Sequence, residues 1–172
     1  MPDPMLQSLA EKVGARLKAA GLLLACAESC TGGWVAQAVT AVAGSSDWFD
    51  RGFVTYSNAA KHEMLGVATA TIDRFGAVSE ETARSMAEGA LVHSHAGISL
   101  AITGVAGPTG GTPAKPVGMV CFAWARRDGA MQSRTLHLAG DREQVRRQSV
   151  AVALDGVVEM LDKNPPETLE TS

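Results

Sequence analysis

Along the chain, segments whose apolar residues recur at helical intervals alternate with short apolar runs that are typical of strands. At residues 5–20, apolar side chains recur at helical intervals, which predicts an amphipathic helix, and Gly21 follows as its end. Residues 22–27 form a continuous apolar run, the pattern of a strand that is covered on both faces. A second helix is predicted from Trp34 to Val39, before the AVAGSS stretch.

The middle of the chain repeats this order with shorter elements. A strand is predicted at 52–56, followed by a short helix that is capped near Ser57 or Asn58. Residues 66–78 have little periodicity and are predicted to form a loop or short irregular turns. The next helix begins after Ser79, which can cap it and which precedes two acidic residues.

Three further strands are predicted in the last third of the chain. The apolar segment ISLAIT at 98–103 has the composition of a buried strand. The strands at 117–125 and 131–138 flank an Asp-Gly pair at 128–129, which is a hairpin signal. We therefore expect these two strands to be antiparallel neighbours.

A long final helix completes the predicted order. Asp141 opens it, with Gln144 three residues later as in a capping box, and we expect it to end between 161 and 163. Strands that alternate with helices, together with one hairpin, predict an α/β fold. The expected architecture is a single-domain layered α/β sandwich with a mixed sheet flanked by helices, spanning residues 1–163, with a polar tail at 164–172.

Composition narrows the class of protein. The 172 residues are 46% hydrophobic and 19% charged, which is typical of one compact globular domain. A formal net charge of -3 at pH 7 argues against nucleic acid as a partner, because nucleic-acid-binding domains usually carry a basic surplus. The N-terminus lacks a signal-peptide pattern and no apolar run approaches the roughly 20 residues of a membrane span. We expect a cytoplasmic protein with no membrane partner.

The chain contains three cysteines, Cys26, Cys30 and Cys121. An odd number in a chain that is expected to be intracellular predicts reduced thiols rather than a disulfide framework. A zinc site would have to combine Cys26 and Cys30 with histidines, but their C-x3-C spacing differs from the usual C-x2-C knuckle. We therefore expect no metal site.

The sequence ESCTGG lies between the first strand and the second helix and is unusual for a plain turn. After Ser29, the turn consists of Cys30, Thr31, Gly32 and Gly33. Their backbone N–H groups would point at one place, where the helix dipole also favours negative charge. The Ser29 hydroxyl could then attack a carbonyl carbon whose oxygen accepts from these donors. The alternative is that Ser29 and Thr31 only cap the helix and that the glycines permit close packing.

A serine nucleophile needs a base. No G-x-S-x-G elbow occurs, and no triad pattern is evident among the four histidines, His62, His93, His95 and His137. A partly desolvated lysine is the other route, because burial makes the ammonium lose its proton more readily. Lys61 is the candidate, since it follows a strand that should end on the same edge of the sheet as Ser29. The alternative for Lys61 is a solvated surface lysine.

Two further segments have the composition of a ligand site. The sequence TGVAGPTGG at 103–111 carries four glycines, so its backbone can approach a ligand, although its order matches neither a P-loop nor G-x-G-x-x-G. Arg142 and Arg146 lie one turn apart at the start of the last helix and could hold a phosphate or pair with acids of a neighbouring chain. Surface solvation is the alternative for both arginines.

Three motifs, in this order, carry a family resemblance: AESCTGGWVAQAVTAVAGSSDWFDRGFVTYSNAAK, TGVAGPTGGTPAKPVGMV and GDREQVRRQ. Together they closely resemble the CinA C-terminal domain family, whose stand-alone bacterial members are nicotinamide mononucleotide deamidases. The resemblance implies hydrolysis of the carboxamide of nicotinamide mononucleotide to nicotinic acid mononucleotide and ammonia, in pyridine nucleotide recycling. It implies no metal and no cofactor.

The resemblance also implies roles for individual residues. Ser29 would be the nucleophile, Lys61 the base, and Tyr56 a residue that orients groups or relays a proton. The substrate phosphate would rest on one of the two arginines or on the glycine loop. Ten residues of these motifs are expected to contact the substrate: Cys30, Thr31, Gly32, Gly33, Asn58, Thr103, Gly104, Gly107, Arg142 and Arg146.

Two other classes of function stay open at this point. The first is a non-catalytic nucleotide-binding or assembly module of the same fold, against which the presence of both Ser29 and Lys61 argues. The second is a zinc-dependent deaminase, which metal analysis and a chelator would distinguish. We also expect the chain to form a homo-oligomer.

Overall fold

The computed structural model describes residues 3–163, and the tail predicted at 164–172 lies outside the described residues. Six helices are found within this range: α1 (Pro4–Ala20), α2 (Trp34–Thr40), α3 (Asn58–Leu65), α4 (Thr69–Phe75), α5 (Glu80–Val92) and α6 (Arg142–Lys163). Five strands lie between them: β1 (Leu24–Glu28), β2 (Phe49–Val54), β3 (Ile98–Gly104), β4 (Met119–Arg126) and β5 (Met131–His137). A short 3₁₀ turn, Ser45–Asp47, precedes β2.

The five strands form one mixed sheet in the order β2-β1-β3-β4-β5. β1 pairs in parallel with β2 on one side and with β3 on the other. β4 runs antiparallel to β3 and to β5, and the Asp-Gly pair at 128–129 lies in the turn between β4 and β5. The predicted mixed sheet and the predicted hairpin are therefore confirmed.

Side chains of different size cover the two faces of the sheet. Along β1, Leu24 and Cys26 pack with the larger core cluster, which includes residues of α1, α2 and α6. The intervening Ala25 and Ala27 pack on the opposite face, with residues of α3, α4 and α5. All five residues of β1 are buried, as expected for a central strand with helices on both sides. The layered sandwich predicted from the sequence is confirmed.

The alanine-rich face lets α5 lie close to the sheet and to α3. The Ser99 hydroxyl of β3 donates a 2.7 Å hydrogen bond to the Ala87 carbonyl of α5. At the crossing of α5 with α3, a Cβ on Gly89 would lie only 2.0 Å from the Leu65 carbonyl oxygen. Glycine is required there because a side chain would push the two helices apart. This crossing fixes the position of α3, the helix that contains Lys61.

Most of the predicted elements are confirmed, with small shifts at the ends of strands. β1 begins at Leu24 rather than at 22, and β2 begins at Phe49 rather than at 52. Ser57 and Ser79 cap α3 and α5, each accepting from a backbone N–H three residues later. The capping box of α6 is also present: the Gln144 N–H donates to the Asp141 carboxylate at 2.9 Å, and the Asp141 N–H donates to the Gln144 amide oxygen at 2.8 Å.

The prediction of a loop or irregular turns at 66–78 is wrong for its central part. α4 occupies seven residues, and only Ile72 among them is buried. A helix this short, with a single buried side chain, shows no helical periodicity in its sequence. None of the described helices is both long and apolar enough to cross a lipid bilayer.

Candidate active site

The carboxyl ends of the three parallel strands meet at one edge of the sheet and border a cavity of about 310 Å³. Ser29 follows β1, Tyr56 follows β2, and Thr103 and Gly104 end β3. Crevices at this edge are the usual ligand sites of open α/β sheets. Nine of the thirteen residues predicted to form the site line the cavity: Ser29, Cys30, Tyr56, Asn58, Lys61, Thr103, Gly104, Gly107 and Arg142.

Lys61 lies against Ser29 beneath this cavity. Its Nζ atom lies 2.9 Å from the Ser29 hydroxyl oxygen and 2.9 Å from the Thr55 carbonyl oxygen. Lys61 is only 1% exposed and Ser29 only 8% exposed. The alternative of a solvated surface lysine is therefore wrong. A hydroxyl and an amine within hydrogen-bond distance have the geometry that nucleophilic catalysis requires.

Burial changes the proton affinity of Lys61. Desolvation lowers the pKa of the Lys61 ammonium from its ordinary value of 10.5, and the nearby Cys30 thiol opposes this shift. Among the described residues, Lys61 forms no ion pair with a carboxylate that would hold its charge. The environment thus shifts the protonation equilibrium of Lys61 toward the neutral amine, which is the form that can accept a proton from a serine.

The cap of α2 is the buried carboxylate of Glu28, a residue for which the sequence predicted no role. It accepts hydrogen bonds from the Thr31 hydroxyl at 2.7 Å, from the Val35 N–H at 2.8 Å and from the Ala36 N–H at 3.1 Å. The first residue before the helix is Gly33, which has no side chain to cap it. The alternative in which Ser29 and Thr31 cap α2 is therefore wrong.

The rest of the turn is held largely by its own groups. The Gly32 N–H donates a 3.0 Å hydrogen bond to the Ser29 carbonyl, so it is not free for a ligand. Gly32 and Gly33 have φ values of 59° and 103°, which glycine adopts without strain. Thr31, Gly32 and Gly33 do not line the cavity, and their contact with substrate stays a prediction. Cys30 does line it, and burial is the main cause that raises the pKa of its thiol to about 11.

Arg142 connects two segments that line the cavity, the end of β2 and the glycine loop. One guanidinium nitrogen donates to the Tyr56 hydroxyl at 3.0 Å, and another donates to the Gly107 carbonyl at 2.8 Å. Tyr56 is 62% exposed, so its ring lies at the mouth of the cavity rather than beside the Ser29–Lys61 pair. These two contacts tie the first turn of α6 to the end of β2 and to the glycine loop.

Arg146 lies one turn further along α6 and outside the cavity lining. It donates to the Cys30 carbonyl and to the Thr31 carbonyl, both at 3.1 Å, and its guanidinium lies 5.4 Å from the centre of the Trp34 ring. The two predicted arginines thus differ: Arg142 lies at the cavity, whereas Arg146 braces the turn from behind. Substrate contact by Arg146 stays a prediction.

The sequence did not point to several residues of this site. Ala77 and Val78 line the cavity, and they belong to the stretch that was predicted to be irregular, so no pattern marked them. The Ala77 carbonyl accepts a 2.8 Å hydrogen bond from the Thr103 hydroxyl. Glu28 did carry a signal, because a charged residue that ends an otherwise apolar strand needs buried donors.

The three cysteines form no disulfide with one another within residues 3–163. Cys26, Cys30 and Cys121 are buried free thiols. Over residues 3–163, no cluster of three or more His, Cys, Asp or Glu side chains has an arrangement that could hold a metal ion.

Comparison with known proteins identifies the family of this chain. A family model described as the CinA C-terminal domain matches residues 6–161. The chain is 48% identical to the nicotinamide-nucleotide amidohydrolase PncC of Enterobacter agglomerans, over 95% of this chain and 100% of that protein. It is 52% identical to the protein of the same name from Escherichia coli strain K12, over 90% of this chain and 93% of that protein.

A solved structure agrees with these sequence matches. The competence/damage inducible protein CihA from Agrobacterium tumefaciens superposes with a TM-score of 0.91 at 43% sequence identity, over 93% of this chain and 98% of that one. The family model, the two relatives and this structure each cover at least nine-tenths of the chain. The chain therefore belongs to the CinA C-terminal domain family.

Proposed function

We propose that this protein is a nicotinamide-nucleotide amidohydrolase that converts nicotinamide mononucleotide to nicotinic acid mononucleotide and ammonia. The observation that carries the proposal is the 2.9 Å contact between the Lys61 amine and the Ser29 hydroxyl at an open cavity. The names of the relatives from Enterobacter agglomerans and Escherichia coli support the choice of substrate. The reaction would serve pyridine nucleotide recycling.

The first half of the proposed reaction forms an acyl-enzyme. The Ser29 oxygen attacks the carboxamide carbon while its proton passes to the neutral Lys61 amine. The tetrahedral intermediate then collapses, its C–N bond breaks, and the Lys61 ammonium gives a proton to the departing nitrogen, which leaves as ammonia. The product of this half is an ester between Ser29 and the nicotinic acyl group, with Lys61 neutral again.

The second half hydrolyses this ester. Lys61 takes a proton from a water molecule as the water oxygen attacks the ester carbon. Collapse of the second intermediate breaks the bond to the serine oxygen, which recovers a proton from Lys61. The acid product gives its proton to solvent water, so nicotinic acid mononucleotide leaves with a carboxylate in place of the amide, and Ser29 and Lys61 return to their starting protonation states.

A backbone donor at the turn would stabilise the oxyanion in both halves. The N–H groups of Gly32, Val35 and Ala36 already donate within the protein. The Cys30 N–H directly follows the nucleophile, and it donates to no acceptor of another residue within 3–163. We assign this N–H to the developing oxyanion, where one such donor typically contributes about 3 kcal/mol.

The nucleotide part of the substrate would lie toward the mouth of the cavity. Tyr56, Asn58 and the glycine loop line that region together with Arg142. A phosphate beside Arg142 would meet a fixed positive charge and the backbone of the loop at Gly107. Tyr56 would orient this end of the substrate through its hydrogen bond with Arg142.

We propose that the enzyme acts in the cytoplasm as a homo-oligomer and uses no cofactor. Cell fractionation would test the location, and light scattering of the purified protein would test the oligomeric state. Metal analysis of the same preparation would test the absence of a metal requirement.

Ammonia release from nicotinamide mononucleotide, with a chelator present throughout, tests the proposed function. Wild type should release ammonia, and Ser29→Ala and Lys61→Ala should each lose about a thousandfold or more of this activity. Ser45→Ala is a matched control, because Ser45 is also 8% exposed but lies outside the cavity, and Lys12→Ala is an exposed lysine control. Well-folded wild type that released no ammonia would overturn the proposed function.

A further inference from the structure

We propose that Glu28 is a positioning residue for the reaction, which holds the turn that aims Ser29 at Lys61. This inference rests on the proposed function. Glu28 does not line the cavity, so it would act through the groups that it holds rather than on the substrate. The residue is fully buried and directly precedes the nucleophile.

The side chain of Glu28 connects the end of β1 to the start of α2 across the turn. One carboxylate oxygen accepts from the Thr31 hydroxyl and the Val35 N–H, and the other accepts from the Ala36 N–H. An ordinary cap at Gly33 would satisfy the same helix N–H groups without constraining the nucleophile. Because the cap comes from the end of β1 instead, residues 29–33 form a loop whose two ends are tied together.

The backbone of Glu28 connects the same turn to the base. Its carbonyl oxygen accepts a 2.8 Å hydrogen bond from the Thr55 N–H, and the Thr55 carbonyl accepts from the Lys61 amine. On the other side, the Ser29 N–H donates to the Ile102 carbonyl at 3.0 Å. Hydrogen bonds at the end of β1 therefore hold both Ser29 and, through Thr55, Lys61 in place.

Within residues 3–163, no lysine, arginine or histidine side chain pairs with the Glu28 carboxylate. Among the described residues, its remaining polar contact is the Cys26 thiol at 3.8 Å. A buried carboxylate is costly unless hydrogen bonds compensate it, and uncharged side chains could cap a helix at lower cost. In the proposed role, the carboxylate is useful because its three donors fix the geometry of the turn.

Glu28→Gln tests this role, because the amide keeps the size of the side chain but replaces one acceptor oxygen by a donor. That NH₂ group would face a backbone or hydroxyl donor, so the turn should loosen. We expect kcat for nicotinamide mononucleotide to fall about 10–100-fold while KM stays within about twofold, as for a small misplacement of a nucleophile. The matched control is Glu80→Gln, whose carboxylate also accepts two short hydrogen bonds, from Ser133 and Thr135, away from the cavity.

A second readout does not depend on activity. Cys30 is 7% exposed within the turn, whereas Cys26 and Cys121 are fully buried. Maleimide labelling of the native protein, followed at Cys30 by peptide mass spectrometry, should be at least about tenfold faster in Glu28→Gln and unchanged in Glu80→Gln. Unchanged kcat or unchanged Cys30 labelling in folded Glu28→Gln would overturn the inference.

A second variant tests the role of Glu28 if the first does not fold. If Glu28→Gln does not fold, Thr31→Val removes one donor to Glu28 at a side chain that is fully buried. A fall in kcat of about fivefold or more at constant KM would then support the inference, and a wild-type kcat would overturn it. If wild type hydrolyses no nicotinamide mononucleotide, the proposed function fails, and Cys30 labelling alone decides whether Glu28 holds the turn.

Discussion

The Lys61 amine lies 2.9 Å from the Ser29 hydroxyl, although 32 positions separate the two residues in the chain. The pairing arises because β1 and β2 are parallel neighbours and end at the same edge of the sheet. Ser29 follows β1 directly, and α3 returns Lys61 to that edge after β2. In the proposed reaction the hydrogen bond runs from the serine hydroxyl to the amine, which requires the uncharged form of Lys61.

The pH dependence of activity should report the protonation of Lys61. Below the pKa of this group the amine is charged and inactive, so kcat/KM should rise about tenfold per pH unit and then level off. Burial lowers the pKa of Lys61, so the midpoint of this rise should lie below 10.5. Burial raises the pKa of the Cys30 thiol to about 11, so we expect this thiol to lose its proton at a higher pH than Lys61.

Lys61→Arg provides the matched control for this profile, because a guanidinium keeps its proton at every accessible pH. Its activity should stay near background from pH 6 to 10 while the protein remains folded by circular dichroism. A rise in kcat/KM that persisted unchanged in Lys61→Arg would assign the titration to another group.

Arg142 should contribute mainly to substrate binding. Arg142→Ala removes the charge at the cavity and its links to Tyr56 and Gly107, so KM for nicotinamide mononucleotide should rise about 10–100-fold. Steady-state kinetics measure this change, and the effect should be much smaller for the unphosphorylated nucleoside. Arg16→Ala is the control, because Arg16 pairs with Asp162 at the surface away from the cavity. A change in kcat alone would contradict this role.

Arg146 should affect kcat rather than KM, since it contacts the turn after β1 and does not line the cavity. Arg146→Ala leaves the Cys30 and Thr31 carbonyls without their guanidinium donor and removes the contact with the Trp34 ring. We expect kcat to fall about tenfold with little change in KM, together with a lower melting temperature. If KM rose instead, the sequence prediction that Arg146 contacts the substrate would be supported.

Much of the fold and part of the site follow from local patterns. Helix ends could be recognised in the sequence because their capping residues contact backbone groups only a few positions away. These residues are Gly21, Ser57, Ser79 and the Asp141–Gln144 pair. The family resemblance is confirmed by the match over residues 6–161. The approach of Lys61 to Ser29 could also be expected, because parallel strands end at one edge of the sheet. Contacts that depend on how the helices pack were not predictable from local pattern.

Glu28 and the two arginines illustrate this limit. The sequence places Arg142 and Arg146 one turn apart, but only the packing of α6 decides that one lies at the cavity and the other behind the turn. In the same way, the local pattern favoured a serine or threonine cap for α2, whereas the fold supplies the cap from the strand before it. Short α4 was missed because it buries a single side chain.

The crossing of α3 and α5 should control both stability and activity through Gly89. In an unhindered helix, Gly→Ala stabilises by roughly 1 kcal/mol, but here the new Cβ would lie 2.0 Å from the Leu65 carbonyl oxygen at the end of α3. The clash should dominate, so Gly89→Ala should lower the free energy of unfolding by about 2–3 kcal/mol, as overpacking typically does. Thermal unfolding should show a fall in Tm of about 5–10 °C.

The same substitution should also displace the base, because Leu65 lies one helical turn after Lys61 and the helix moves as a unit. We therefore expect kcat to fall in the fraction that remains folded, while KM changes little. Glu88→Ala is the matched control, since Glu88 precedes Gly89 on the same helix but is exposed, and its unfolding free energy should stay within about 0.5 kcal/mol of wild type. A Gly89→Ala protein as stable and active as Glu88→Ala would show that α3 can shift without moving Lys61 away from Ser29.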